Sequence, residues 1–198
     1  MTKHKSADER TAQILDAARA CFIERGYFAT KMDEIAQRAG LSKGGVYFHF
    51  ESKKDIFRDL VEQDYHRTQT FLEGVAQQHG SFLDKLGHIG QYFTSIFEGP
   101  DNPRFLVVTM EMTLRDAEIA KLYDKIQCSY IETIEAMIEE GMRRGELKRV
   151  EPGVIAFLLK ALLDGIQQSY LEHERAYNPA DLIESALDLI MSGLNKPS

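Results

Sequence analysis

Apolar positions in this chain recur every three or four residues over most of its length and almost nowhere alternate, so the pattern predicts an all-α fold. A first helix is predicted from Asp8 to Arg25, with Ile14, Leu15, Ala18, Cys21 and Phe22 on one face and Gly26 as its stop. A second opens at Thr30, spaced from Asp33 as a capping box, and carries Met32, Ile35, Ala36 and Ala39 as its stripe. Gly40 stands where the chain must reverse, a position that calls for positive φ. Ser42 then caps a short third helix, Lys43 to Phe50, whose Val46 and Phe50 turn inward. Ser52 and Asp55 repeat the cap spacing and open a long helix through Ile56, Phe57, Leu60, Val61 and Tyr65 to about Gln78.

Five more helices are predicted, at Ser81–Glu98, Arg104–Arg115, Ala117–Arg144, Pro152–Glu174 and Pro179–Leu194, which makes about nine in all. Gly99-Pro100-Asp101-Asn102-Pro103 breaks the chain sharply, and Pro152 and Pro179 suit first helical turns. The apolar positions between Val154 and Leu171 spread wider than one core-facing stripe, so that helix needs cover on two sides. A twin subunit is the predicted second cover, with Phe157, Ala161 and Gly165 here, and Leu187 and Ile190 on the last helix, at the dimer interface. A second partner within the same chain is the alternative.

Helix, glycine turn and second helix form the helix-turn-helix arrangement of DNA-binding proteins. Over residues 29–57 the chain resembles the TetR family of one-component repressors. The resemblance is carried by Thr30, Ile35-Ala36, Ala39-Gly40, Ser42-Lys43-Gly44, Tyr47-Phe48-His49-Phe50, and Ser52-Lys53 with Phe57. It implies a three-helix DNA-binding domain over residues 1–54 and an effector-binding and dimerisation domain over 55–198. It also implies a homodimer on a palindromic double-stranded operator, released by a small-molecule effector. An all-α small-molecule binding protein whose head does not act on DNA is the competing reading.

The residues themselves suit that role. Lys43 brings a cation to a base edge or phosphate, and Tyr47 and His49 bring donors for phosphate oxygens. Lys53 adds charge at the start of the fourth helix, and Thr30 and Ser42 offer hydroxyls at helix N-termini. Gly44 and Gly45 weaken so short a helix by about 1 kcal/mol each, which suits a backbone pressed close to a duplex. Gly45 stands where the family often has Thr, Ser or Ala, which leaves fewer side chains to read bases. Phe48 has two readings, packing within the head or pressing on a thymine methyl.

In the body, Tyr92, Phe93, Thr109, Glu111, Tyr123, Gln127 and Gln167 are polar or aromatic groups scattered among apolar ones. Such groups orient a ligand in an apolar pocket, and the resemblance implies an effector there. Glu111, between Met110 and Met112, favours a cationic effector if buried and is otherwise a solvated carboxylate.

Charge sharpens the division. The net charge is −7, yet residues 1–54 hold ten Lys and Arg against seven Asp and Glu, leaving 14 against 24 for the rest. A basic head on an acidic body suits a DNA reader with a regulatory part. The N-terminus is charged without an apolar run behind it, and Val154–Ile166 is too short to span a bilayer, so a cytoplasmic protein without a membrane partner is predicted. Cys21 and Cys128 are far apart and form no CxxC pair, and no metal, cofactor or catalytic motif appears, so no enzyme activity is predicted.

Overall fold

The computed structural model describes residues 6–98, 104–172 and 177–194. The basic tail up to Lys5, the predicted break at 99–103 and the predicted helical residues 173–174 lie outside them. Among the described residues the fold is all-α, with nine helices and no sheet: α1 (Ala7–Arg25), α2 (Met32–Arg38), α3 (Lys43–Tyr47), α4 (Lys53–Gln77), α5 (Phe82–Glu98), α6 (Arg104–Thr113), α7 (Ala117–Arg143), α8 (Pro152–Glu172) and α9 (Pro179–Leu194). Two compact units emerge. One holds the described residues up to His66 together with Arg104–Tyr123, and the other those from Arg67 to Glu98 and from Asp124 onward.

In the first unit, α1 begins on a full capping box. Ser6 Oγ accepts from the Glu9 N–H at 3.2 Å, and the Glu9 carboxylate accepts from the Ser6 N–H at 2.7 Å. Gly26 ends α1 at φ 77° and Gly40 follows α2 at φ 64°, the backbone angles glycine tolerates best. Ile14, Leu15, Ala18, Cys21 and Phe22 are buried on α1, joined by Ile35 and Ala36 of α2, Val46 of α3, and Ile56, Phe57 and Leu60 of α4. Phe57 anchors this core: its ring meets Phe22 edge-on at 5.5 Å, Tyr27 at 5.2 Å and Phe105 of α6 at 5.4 Å. Burial also holds the Cys21 thiol above its ordinary pKa.

One cap differs from the sequence expectation. Lys31, not Thr30, is the N-cap of α2, and its N–H donates to the Glu34 carboxylate at 2.8 Å. Thr30 is buried, and its hydroxyl is shared between the carbonyls of Gly26 at 2.8 Å and Cys21 at 3.1 Å. A buried hydroxyl must find an acceptor, and the end of α1 supplies two. The expected third helix is also shorter, with Phe48 as its C-cap, and α6 stops at Thr113 instead of Arg115.

The second unit is built on the buried apolar faces of α5, α8 and α9 with the later turns of α4 and α7, including Leu72, Phe82, Ile89, Ile138, Leu159 and Ile183. α5 and α9 come close because Gly90 has no side chain: a Cβ there would stand 2.7 Å from Leu187 Cδ1. Buried Lys85 donates to the Ala76 carbonyl at 2.7 Å, tying α5 to the end of α4 and complementing its terminal dipole. No helix among the described residues is long and apolar enough to cross a membrane.

Candidate nucleic-acid interface

The outward surface of the helix-turn-helix is assembled from the short α3 and its flanks. Ser42 Oγ accepts the Gly45 N–H at 3.1 Å, as expected of a cap, and so fixes the start of α3. With Val46 buried, the remaining positions point away from the core: Lys43 and Gly44 are exposed, Tyr47 is 44% exposed and Phe48 is 84% exposed. Gly44 has no atom near the place a Cβ would occupy, whereas at Gly45 a Cβ would meet the capping Ser42 Oγ at 3.3 Å. Part of the reason for the glycine pair is therefore internal to the cap, and only Gly44 leaves open space on the outer side.

Lys43 Nζ lies 2.8 Å from Asp33 Oδ1, an exposed pair that holds the ammonium pKa above its ordinary value. Such pairs are worth little in water and exchange readily for a phosphate. His49 is half-buried, and its Nδ1 sits 3.3 Å from the Thr11 hydroxyl, so its ring is tied to α1. Tyr47 and Lys43 are both exposed on the outer side of α3.

Two expected DNA-facing residues turn inward. Thr30 is buried under the α1–α2 turn, as described above. Lys53 donates to the carbonyls of Tyr27 and Thr30, each at 2.6 Å, and its ammonium stands 4.3 Å from the centre of the Tyr27 ring. Burial, the larger effect, holds its pKa below the ordinary lysine value. Lys53 thus fastens the start of α4 to the turn that precedes α2.

Sequence reasoning passed over the groups that brace this head. Arg19 is buried on the core face of α1 and makes a two-pronged bond to Asp64 of α4, at 2.7 and 2.9 Å, with its guanidinium 4.5 Å from the Phe105 ring centre. A signal was present: Arg19 falls on the stripe between Leu15 and Phe22, where a charge needs a buried partner. Lys54 binds Asp116 at 2.9 Å and Glu118 at 2.7 Å, which raises its pKa well above the ordinary value. Asp116 itself caps α7, accepting from the N–H groups of Glu118 and Ile119.

Residues 14–60 match the family model described as bacterial regulatory proteins, tetR family, and residues 66–193 match that described as YsiA-like protein, C-terminal region. The chain belongs to the TetR family. As a TetR-family chain it is a DNA-binding transcriptional regulator with a helix-turn-helix. It is 29% identical over 196 residues to the HTH-type transcriptional regulator YfiR of Bacillus subtilis, covering 93% of this chain and 90% of that one. It is 23% identical over 184 residues to the fatty acid metabolism regulator protein of the same organism, covering 92% and 94%. The structure of FadR from Bacillus subtilis in complex with stearoyl-CoA superposes with a TM-score of 0.78 at 23% identity, over 92% of this chain and 98% of that one, and shows that the fold is shared.

The seven effector candidates of this TetR-family chain are not brought together in one unit. Thr109, Glu111 and Tyr123 belong to the first, and Tyr92, Phe93, Gln127 and Gln167 to the second. Thr109 is buried but spends its hydroxyl on the Phe105 carbonyl one turn back, at 3.0 Å. Glu111 pairs with Arg115 at 3.6 Å with its side chain 44% exposed, so the solvated reading applies. Tyr92 stacks on Phe71 at 4.0 Å and shares a 3.0 Å hydrogen bond with Thr68, while Phe93 packs partly buried against the core and Gln167 is buried. Of the interface candidates, Phe157, Ala161 and Gly165 are exposed on α8, and Leu187 and Ile190 are half-buried on α9.

Proposed function

We propose that this regulator binds a palindromic operator as a homodimer, represses transcription from it, and is released when a small-molecule effector enters the second unit. The outward face of α3 carries the DNA reading. Lys43, Gly44 and Tyr47 lie exposed beside one another on an element whose inner side is locked into the head. The proposed contacts are Lys43 and the backbone at Gly44, with Tyr47 and Ser42 beside them. His49 and Lys53 act mainly by holding the surface in place. Each subunit would lay α3 in a major groove, with half-sites about one helical turn apart or somewhat more.

Support for the dimer comes from α8 and α9. Val154, Phe157 and Leu158 on α8 and Leu189 on α9 leave large apolar side chains in water, each more than half exposed. Beside them a groove of about 470 Å³ is lined by Ala161, Gly165, Tyr170 and Tyr177, where a second pair of helices can approach closely. For the effector, Tyr92, Phe93, Gln127 and Gln167 remain the candidate contacts. The stearoyl-CoA bound by the related structure makes long-chain acyl thioesters the first class to test.

The deciding experiment is fluorescence anisotropy with duplex DNA flanking the chain's own gene, at several salt concentrations. Phosphate contacts release counterions, so affinity should fall steeply with salt, and Lys43→Ala should reduce the slope by about one. Binding that ignores salt, Lys43→Ala and Tyr47→Ala alike would overturn the reading. Loss of binding on adding long-chain acyl-CoA would identify the effector class.

A further inference from the structure

The recognition surface is poor in the groups that read bases by hydrogen bonding. Guanine is read by Arg or Lys, adenine by Asn or Gln, and cytosine by Asp or Glu. α3, with the sequence KGGVY, holds only Lys43 of these, and Lys43 is already paired with Asp33. Ser42 accepts the Gly45 N–H as a cap and keeps only its O–H, which suits a phosphate, and Val46 is buried. What remains on the outer side is Tyr47 and, directly after it, Phe48.

Phe48 is unusual for a large apolar side chain in a well-packed head. It is 84% exposed, while Phe22, Phe50 and Phe57 are all buried. Its ring is nevertheless not adrift. It meets the His49 ring edge-on at 5.4 Å and 84°, and His49 is held through Nδ1 by Thr11. A phenyl ring is thus presented to solvent at the end of the recognition helix on a tethered support. Ordering it before binding lowers the entropy cost of a contact. A phenyl ring has no donor or acceptor for a base edge. The one feature of the major groove that it can distinguish is the apolar C5 methyl of thymine.

We infer that Phe48 is a specificity-determining residue that selects thymine at one position of each operator half-site by packing on its C5 methyl. The inference rests on the proposed placement of α3 in the major groove. It accounts for a recognition helix with two glycines and one paired lysine, in which shape and methyl contacts take over from hydrogen-bond reading.

The test starts by selecting an operator from random duplexes with the full-length protein. Each thymine is then replaced singly by deoxyuridine, which removes the methyl and nothing else. One position per half-site should weaken wild-type binding by about fourfold, the worth of one buried methyl. Phe48→Ala should bind the thymine operator more weakly and be indifferent to deoxyuridine at that same position, and Phe48→Leu should keep part of the preference. Because Phe48 is exposed, neither change threatens the fold. If Phe48→Ala responds to deoxyuridine at every position as the wild type does, or binds the thymine operator as tightly, the inference is overturned. Failure to select any duplex would sink the proposed function, and this inference with it.

Discussion

Lys53 and Lys54 are neighbours in sequence with different work to do. Lys53 reaches back to two carbonyls of the α1–α2 turn, and Lys54 reaches forward to two carboxylates at the start of α7. Replacing Lys53 by Met leaves both carbonyls without their charged donor, a loss of about 1–2 kcal/mol. Thermal unfolding should register that loss, and DNA binding should weaken while its salt slope stays that of the wild type. A slope reduced by about one would instead make Lys53 a phosphate contact. The sequence holds no sign of these separate fates, because the partners lie more than twenty residues away. Thr30 teaches the same lesson. Thr30/Asp33 and Lys31/Glu34 are adjacent, overlapping cap patterns, and the choice falls to Lys31 because the carbonyls of Cys21 and Gly26 claim the Thr30 hydroxyl.

Helices were far more legible than ties between them. α9 runs over Pro179–Leu194 as the periodicity predicts, and α1, α4 and α7 end within about a residue of expectation, since apolar spacing and caps are local signals. That α6 shares a unit with α1 was not legible, because the packing of Phe105 on Phe57 and Arg19 is a property of the folded chain. The start of α7 shows how such a tie titrates. The hydrogen bond from Lys54 is the largest effect lowering the Asp116 pKa from its ordinary 3.8. A depressed carboxylate stabilises the fold above that unfolded value and loses its contribution as pH falls through the lower folded one. Asp116→Asn should therefore reduce the acid-induced loss of stability, measured by circular dichroism melts between pH 5 and pH 2. Between α5 and α9, Gly90→Val should cost about 1–3 kcal/mol through overpacking against Leu187 and Ile183. Gly90→Ala should come out near neutral, since better helix propensity returns about 1 kcal/mol.

For the whole molecule, the clearest prediction concerns assembly. Phe157 is 59% exposed on α8, so Phe157→Glu leaves the isolated fold intact. A charge placed in an apolar subunit interface would prevent its closure. Sedimentation velocity should then find a dimer for the wild type and a monomer for Phe157→Glu, and operator affinity should drop with it. A dimer that survives the substitution would place the interface elsewhere. The way the first unit is composed has a further consequence for anyone exchanging parts between regulators. Residues up to 60 contain the entire helix-turn-helix pattern, yet Phe57, Arg19 and Lys54 find partners in Phe105, Asp116 and Glu118. A hybrid that grafts only that piece onto another regulator's body would inherit a reader with its lining removed. One that extends through His66 and carries Arg104–Tyr123 along with it should keep its operator preference. The transferable part of this chain is a pair of segments, and a single cut does not release it.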